Sequence, residues 1–241
     1  MDAALGCNRK ARRDEEDPSM DVSEALRKRV SIRVFKPDPV PLETVRDILD
    51  IARFAPSGGN LQPWRIIAVA GEARQAVIDA ARAAMATGGG GEGDRPVYPE
   101  NLWEPFRTRR FKVGEDMYAL LGIPREDRPA RLAHLARNYV FFDAPVGLFF
   151  VIERAMGHGQ WAHLGMLMQS VALAASERGL STCMQEAWAR VREALAVHFA
   201  LRAEEMIYCG MALGYADESA PVNSLRSDRA PLDEIAEFHG F

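Results

Sequence analysis

Apolar and polar positions fall into recognisable registers from just after Met20 onward. Residues 21–29 suit a short helix that ends in basic residues, which the helix dipole favours. Val45, Ile48, Leu49, Ala52 and Ala55 recur at helical spacing, with Glu43, Arg46, Asp47 and Asp50 opposite, and predict a helix over 42–55. Residues 65–70 then read as a buried strand and the alanine-rich 72–86 as a helix. A helix over 129–139 precedes the continuous apolar run 146–152, the pattern of a central strand. The next helix, 158–178, is unusual, because residues 157–176 contain no Asp, Glu, Lys or Arg. Trp161, Leu164, Met168, Val171 and Ala175 share one face and more apolar groups lie opposite, so this helix belongs in a core or a subunit interface. Gly179 is placed to end it. A short strand at 180–184, a helix at 188–199 and a strand at 206–215 complete the pattern.

Three stretches fall outside these registers. Residues 1–20 are polar and mixed in charge and read as a disordered extension, leaving 21–241 as the folded unit. Residues 88–93 contain GxGxxG but follow a helix and open none, so they read as a linker rather than a dinucleotide fingerprint. In 94–128, Tyr98, Trp103, Phe106, Phe111 and Tyr118 sit among prolines and the cations Arg95, Arg107, Arg109, Arg110 and Lys112. Their spacing is neither helical nor alternating until about residue 110. The stretch 88–128 reads as an inserted lid or arm whose aromatics line a pocket or dock on a partner subunit; a satellite core under a long loop is the competing reading.

Composition narrows the class. At 241 residues, 48% hydrophobic and 27% charged, the chain fits one soluble domain with a substantial core. A net charge of −4 leaves no cation excess for nucleic acid. Cys7, Cys183 and Cys209 form no CxxC pair, the N-terminus has no signal-peptide core, and no apolar run is long enough to span a bilayer. These features point to a cytoplasmic protein that does not engage membranes.

Candidate chemistry concentrates in the turn Ala55-Pro56-Ser57-Gly58-Gly59-Asn60-Leu61-Gln62-Pro63-Trp64. The prolines restrict the residues before them, Ser57, Asn60 and Gln62 offer uncharged polar groups, and the glycines bare the backbone to a flat or phosphorylated ligand. Upstream, Arg29, Ser31 and Arg33 alternate with Val30 and Ile32, so an extended segment would present two guanidinium forks and a hydroxyl on one face, a grip for a phosphate or another anion. Hydrolysis is disfavoured: no GxSxG elbow occurs, no histidine is spaced to activate Ser57, and no acid/base carboxylate pair is evident. His163 has no second ligand at metal-binding spacing, so no metal site is expected.

In combination, RxSxR at 29–33, the turn at 55–64, Gly-Leu-Ser-Thr-Cys-Met-Gln-Glu-Ala-Trp at 179–188, and Arg229 two residues before Pro231 resemble the nitroreductase family of flavin enzymes. The likeness runs from about residue 21 to the C-terminus. Gln-Glu-Ala-Trp is nearest the nitrobenzoate-reductase branch, while the insertion at 88–128 also resembles the deiodinase-like branch. The resemblance implies an α+β fold with a mostly antiparallel sheet flanked by helices, an intertwined homodimer, and two FMN sites at its interface. Arg29, Ser31 and Arg229 would hold the FMN phosphate and Arg33 would face the pyrimidine. Pro56, Ser57, Gly58 and Asn60 would come from the second subunit. Glu186 would turn its backbone N–H toward flavin N5, with Gln185 and Ala187 beside it, and no side chain is assigned as a catalytic acid or base. The implied reaction is ping-pong: a hydride passes from NAD(P)H through the flavin to a nitroaromatic or quinone-like acceptor. The alternatives are a halophenol dehalogenase, an oxygen-dependent enzyme that consumes its flavin, and a non-catalytic flavin-binding protein. One departure stands out: His163 replaces an acidic residue that many relatives carry early in the long helix.

Overall fold

The computed structural model describes residues 21–88 and 97–241; the N-terminal extension and most of the glycine-rich linker lie outside the described residues. Among the described residues four strands form one sheet: β1 (Arg65–Ala70), β2 (Val146–Glu153), β3 (Ser181–Gln185) and β4 (Glu205–Gly214). The spatial order is β1-β2-β4-β3 and every neighbouring pair is antiparallel. Sequence neighbours β3 and β4 pair, whereas β2 lies between β1 and β4, which is why β2 reads as apolar on both faces.

Two cores follow from that sandwiching. Phe149 and Val151 point into one, with Val77, Ile78 and Ala81 of α3 (Gly71–Ala86) and Leu195 of α7 (Arg192–His198). Leu148, Phe150 and Ile152 point into the other. There they meet Val45, Ile48 and Ala52 of α2 (Leu42–Ala52) and Leu164, Leu167 and Val171 of α6 (His158–Glu177). The short α1 (Val22–Lys28) also packs on α6. Among the described residues, no helix is long and apolar enough to cross a membrane.

Most predicted elements are present, with instructive differences at their ends. α6 ends as expected: Leu180 N–H donates to the Ala175 carbonyl and Gly179 N–H to the Ser176 carbonyl, with Gly179 at φ +71°. Its sheet-facing half is core, while Ala162, Gly165 and Met166 stay exposed. α2 stops at Ala52, short of the predicted 55, because Ala55 precedes Pro56 and is steered away from helical dihedrals. α5 (Arg128–Ala136) likewise ends before 139 and passes into a 3-10 stretch, Arg137–Asp143, in which Phe141 and Phe142 take positive φ while their rings are buried. The predicted helix 188–199 begins as 3-10 (Glu186–Val191) and becomes α only at α7.

The insertion departs furthest from its pattern. It holds a regular helix, α4 (Phe106–Leu120), starting before residue 110 and burying no residue. Tyr98, Trp103, Phe106 and Phe111 are all exposed, so the satellite-core reading fails for the single chain.

One ion-pair cluster fastens the end of the sheet. Arg65 at the start of β1 reaches across β2 to Glu205 at the start of β4, with Nε–Oε1 at 2.8 Å and Nη2–Oε2 at 2.9 Å. Arg202 N–H also donates to Glu205 Oε2, at 3.0 Å. The Arg65 hydrogen bonds are the main cause that holds the Glu205 carboxyl at about 2 despite its burial. A depressed folded-state pKa contributes stability above the ordinary glutamate range and loses it as pH falls toward 2. Thermal melts should therefore show the parent more stable than E205Q at pH 7, and the gap in Tm should narrow as pH falls from about 4.5 to 2.

Candidate functional site

The segment carrying Arg29, Ser31 and Arg33 is extended and laid along the free edge of β3. Ile32 N–H donates to the Thr182 carbonyl at 3.0 Å, Ser31 pairs parallel with Thr182, and Lys36 N–H donates to the Tyr215 carbonyl at 2.8 Å. Ile32 and Phe35 are buried in the core and fix which way the segment faces. The C-terminal segment is fastened to the same place by one buried amide. Asn223 Oδ1 accepts from the Arg33 and Val34 N–H groups at 2.8 and 3.2 Å. Its Nδ2 donates to the Val34 and Asp217 carbonyls, both at 2.8 Å. Nothing in the sequence pattern marks Asn223, a polar residue in a polar tail.

That fastening brings Arg229 toward Arg29. Burial, and then the positive charge of Arg229, push the half-buried Arg29 guanidinium below its ordinary pKa. Among the described residues Arg29 has no side-chain hydrogen bond or ion pair, and Arg229 Nη1 donates to Ser227 and Asp228 of its own loop. Arg33 adds to the field. Together with burial and Arg137 it pushes His134 down to about 4, so that imidazole is neutral at physiological pH. Cys183 lies underneath; burial raises its thiol pKa while Arg33, Ser31 and Arg29 act in the opposite sense. Three cations and a hydroxyl, with no carboxylate partner among the described residues, make a site suited to an anion.

Three residues further along β3 from Thr182, a distance of roughly 10 Å in a strand, lies Gln185. It is buried and held on both sides: Nε2 donates to the Asn138 carbonyl at 2.9 Å, and Oε1 accepts from Trp188 Nε1 at 3.3 Å. The Ala187 carbonyl accepts from Tyr139 Oη at 3.1 Å and Glu186 Oε1 accepts from Tyr208 Oη at 3.0 Å. Tyr208 reaches this place because β4 bulges: Phe150 lies opposite Cys209 and Val151 opposite Ile207, leaving Tyr208 without a partner in the ladder. Burial, reinforced by Glu186, raises the Tyr208 pKa, so the phenol stays protonated. Regular strand alternation gives no warning of this residue.

Gln185, Glu186 and Ala187 line a cavity of about 620 Å³ together with Met184, Tyr208 and Met168. The insertion contributes Tyr98 and Arg110 to its wall, with the Arg110 guanidinium 4.1 Å from the Tyr98 ring centroid. The same two residues line a neighbouring cavity of about 530 Å³ between α4 and the C-terminal segment, where Arg229 lies. Ion pairs Arg109–Glu234 and Lys112–Asp228 hold α4 against that segment.

The turn residues are elsewhere in the chain. Pro56, Ser57, Gly58 and Asn60 line neither cavity. The turn is shaped by Ser57 Oγ accepting from Gln62 N–H at 2.9 Å and is anchored to α6 through His163. It is solvent-exposed, flanked by exposed Phe54 and Leu61. The residues expected at one ligand thus form two neighbouring groups, 29–33 with 229 and 185–187, plus a third that a single chain does not bring to them.

A family model described as the Nitroreductase family matches residues 26–215. The chain belongs to the nitroreductase family. It is 37% identical over 218 residues to a nitrobenzene nitroreductase of Ectopseudomonas oleovorans, covering 90% of this chain and 96% of that one. It is 37% identical over 221 residues to a 4-nitrobenzoate reductase of Pseudomonas putida, covering 92% and 96%. Among solved structures, the FMN and NADPH-dependent nitroreductase NfnB from Sphigopyxis sp. strain HMH superposes with a TM-score of 0.88 at 44% identity. That superposition covers 92% of this chain and all of the other, so the fold is nitroreductase-like.

The geometry makes Asn223 the clamp that sets Arg229 beside Arg29. N223A should cost about 2–4 kcal/mol by leaving backbone groups of residues 33, 34 and 217 unsatisfied. Urea unfolding would report the loss, and hydrogen exchange at the Arg33 and Val34 amides should accelerate.

Proposed function

We propose that this chain is an FMN-dependent oxidoreductase that passes a hydride from NAD(P)H to a nitroaromatic or quinone-like acceptor, and that it works as a homodimer. The observation that carries the proposal is that Arg29 and Arg229 act on each other with no carboxylate partner among the described residues. Arg29 lies on a segment paired with β3 at Thr182, three residues before the cavity at Gln185–Ala187. Holding two cations together without a carboxylate is unfavourable in the free protein and becomes favourable when a dianion lies between them. A cavity of about 620 Å³ is of the size ligand pockets reach and admits a flat tricyclic ring. The fit to a phosphorylated flavin therefore rests on this chain's own charges and shape.

In this reading Arg29, Ser31 and Arg229 hold the phosphate and Arg33 lies toward the pyrimidine. Gln185, Glu186 and Ala187 border the reacting edge, held still by the hydrogen bonds to Asn138, Tyr139, Trp188 and Tyr208. FMN bound there supplies two-electron redox chemistry between a nicotinamide donor and an acceptor. The protein's work is to orient both partners in turn within one cavity, which suits a ping-pong order and needs no acid or base side chain at the reacting atoms. Tyr98 and Arg110 from the insertion give that cavity an aromatic wall and a cation, a combination that favours flat acceptors bearing an acidic substituent. The relatives named for nitrobenzene and 4-nitrobenzoate support nitroaromatics as the acceptor class over halophenols or oxygen.

The homodimer is supported by what one chain leaves open. Pro56, Ser57, Gly58 and Asn60 are presented on an exposed turn, with Phe54, Leu61, Ile51 and Met166 exposed around it or on neighbouring helices. That apolar surface suits a second copy, whose site the turn would complete.

The purified protein should be a yellow dimer by light scattering, with about one FMN per chain, and should oxidise NAD(P)H when a nitroaromatic is supplied. R29A and R229A should each release FMN and lose the part of Tm that bound ligand confers. If both variants retain FMN as tightly as the parent, the phosphate assignment is wrong.

A further inference from the structure

The sequence leaves His163 without a role, and the structure gives it a specific contact. Its Nδ1 lies 3.3 Å from the Gly58 backbone nitrogen, which donates to it across 105 residues of chain. The approach is close: a Cβ on Gly58 would lie 3.1 Å from His163 Cε1, tighter than most side-chain contacts. A backbone N–H can only donate, so Nδ1 must be the unprotonated nitrogen and the ring proton must sit on Nε2. Gln160, one helical turn away, places its Oε1 3.2 Å from the same Nδ1; two acceptors cannot bond each other, so this tautomer requires the Gln160 amide turned over, with its NH₂ group toward the ring. Ser57 Oγ already caps the far side of the turn through Gln62 N–H. The turn is tied internally by that bond and by backbone bonds such as Asn60 N–H to the Ser57 carbonyl, and among the described residues the hydrogen bond that ties it to α6 is the imidazole's.

We propose that His163 is a positioning residue for the ligand-facing turn: as a neutral acceptor it fixes the Gly58 peptide, and through it the placement of Ser57 and Asn60. This rests on the proposal above that the turn completes the FMN site of a second copy. An acidic side chain at the same position would accept from the same N–H but would place a negative charge beside a turn that faces an anionic cofactor. The neutral imidazole avoids that charge, and Gly58 leaves the room that its ring needs.

The test separates acceptor from bulk. Holoprotein is diluted and FMN release is followed by recovery of flavin fluorescence in the parent, H163A, H163L and H163N. Asn offers Oδ1 where His offers Nδ1, whereas Leu fills space without an acceptor. Loss of one hydrogen bond corresponds to about a fivefold faster release. That acceleration is expected in H163A and H163L, with H163N close to the parent. Release from H163L at the parental rate would overturn the proposal in favour of simple packing. A second readout does not depend on the flavin: ¹⁵N NMR of the parent should show Nδ1 of His163 unprotonated, and a protonated Nδ1 would overturn the tautomer argument. A parent that carries no FMN would overturn the proposed function first, and with it this inference; a parent that binds FMN with H163L unaffected would overturn the inference alone.

Discussion

Two like charges held near each other organise this protein. Arg29 sits on an extended segment at the edge of β3, and Arg229 arrives from the far end of the chain, yet among the described residues neither has a carboxylate to offset the other. Such an arrangement persists only where the surrounding structure imposes it. Here the imposition is hydrogen bonding to the backbone: Thr182 fixes one segment, and three bonds of Asn223, to Arg33 and Val34, fix the other to it. The rest of the site is positioned from the same strand, since Gln185, Glu186 and Ala187 follow Thr182 directly along or just beyond β3. The arginine group and the cavity at Gln185–Ala187 are therefore spaced by strand geometry rather than by loop conformation.

The insertion belongs to this arrangement more than to the core. α4 buries no residue, but its ion pairs to Asp228 and Glu234 tie it to the segment that carries Arg229, and Tyr98 and Arg110 stand between the two cavities. Each pair is exposed and contributes little to stability by itself. Their effect is geometric: whatever orders the C-terminal segment also orders the cavity wall. Arg229 and the cavity wall formed by Tyr98 and Arg110 are linked in this way through one short stretch of chain.

Much of this was legible in the sequence where periodicity is strong. The unbroken apolar run of β2 announces two-sided burial, the apolar face of α6 is core on its sheet side, and the alternation of Arg29, Ser31 and Arg33 is realised on an extended segment with Ile32 buried behind it. The 55–64 turn was identifiable from its own chemistry, as was the Gly179 helix stop. Other features depend on long-range geometry that no local pattern encodes. The bulge that ejects Tyr208 becomes visible only when β4 is laid against β2. Asn223 acts through residues nearly two hundred positions away, and His163 through a turn more than a hundred positions earlier. The aromatics of the insertion misled in a different way, because α4 is a helix without a buried face and carries no amphipathic signature to read.

The central claim is that the arginine pair exists for a phosphate. It is tested most directly by comparing FMN with riboflavin, which shares the ring and ribityl chain and lacks the phosphate. Flavin fluorescence quenching on titration into the same flavin-free protein gives both dissociation constants. Two charge-assisted contacts correspond to a preference for FMN on the order of a hundredfold or more, and that preference should weaken as salt is raised. Equal affinity for FMN and riboflavin would contradict the account.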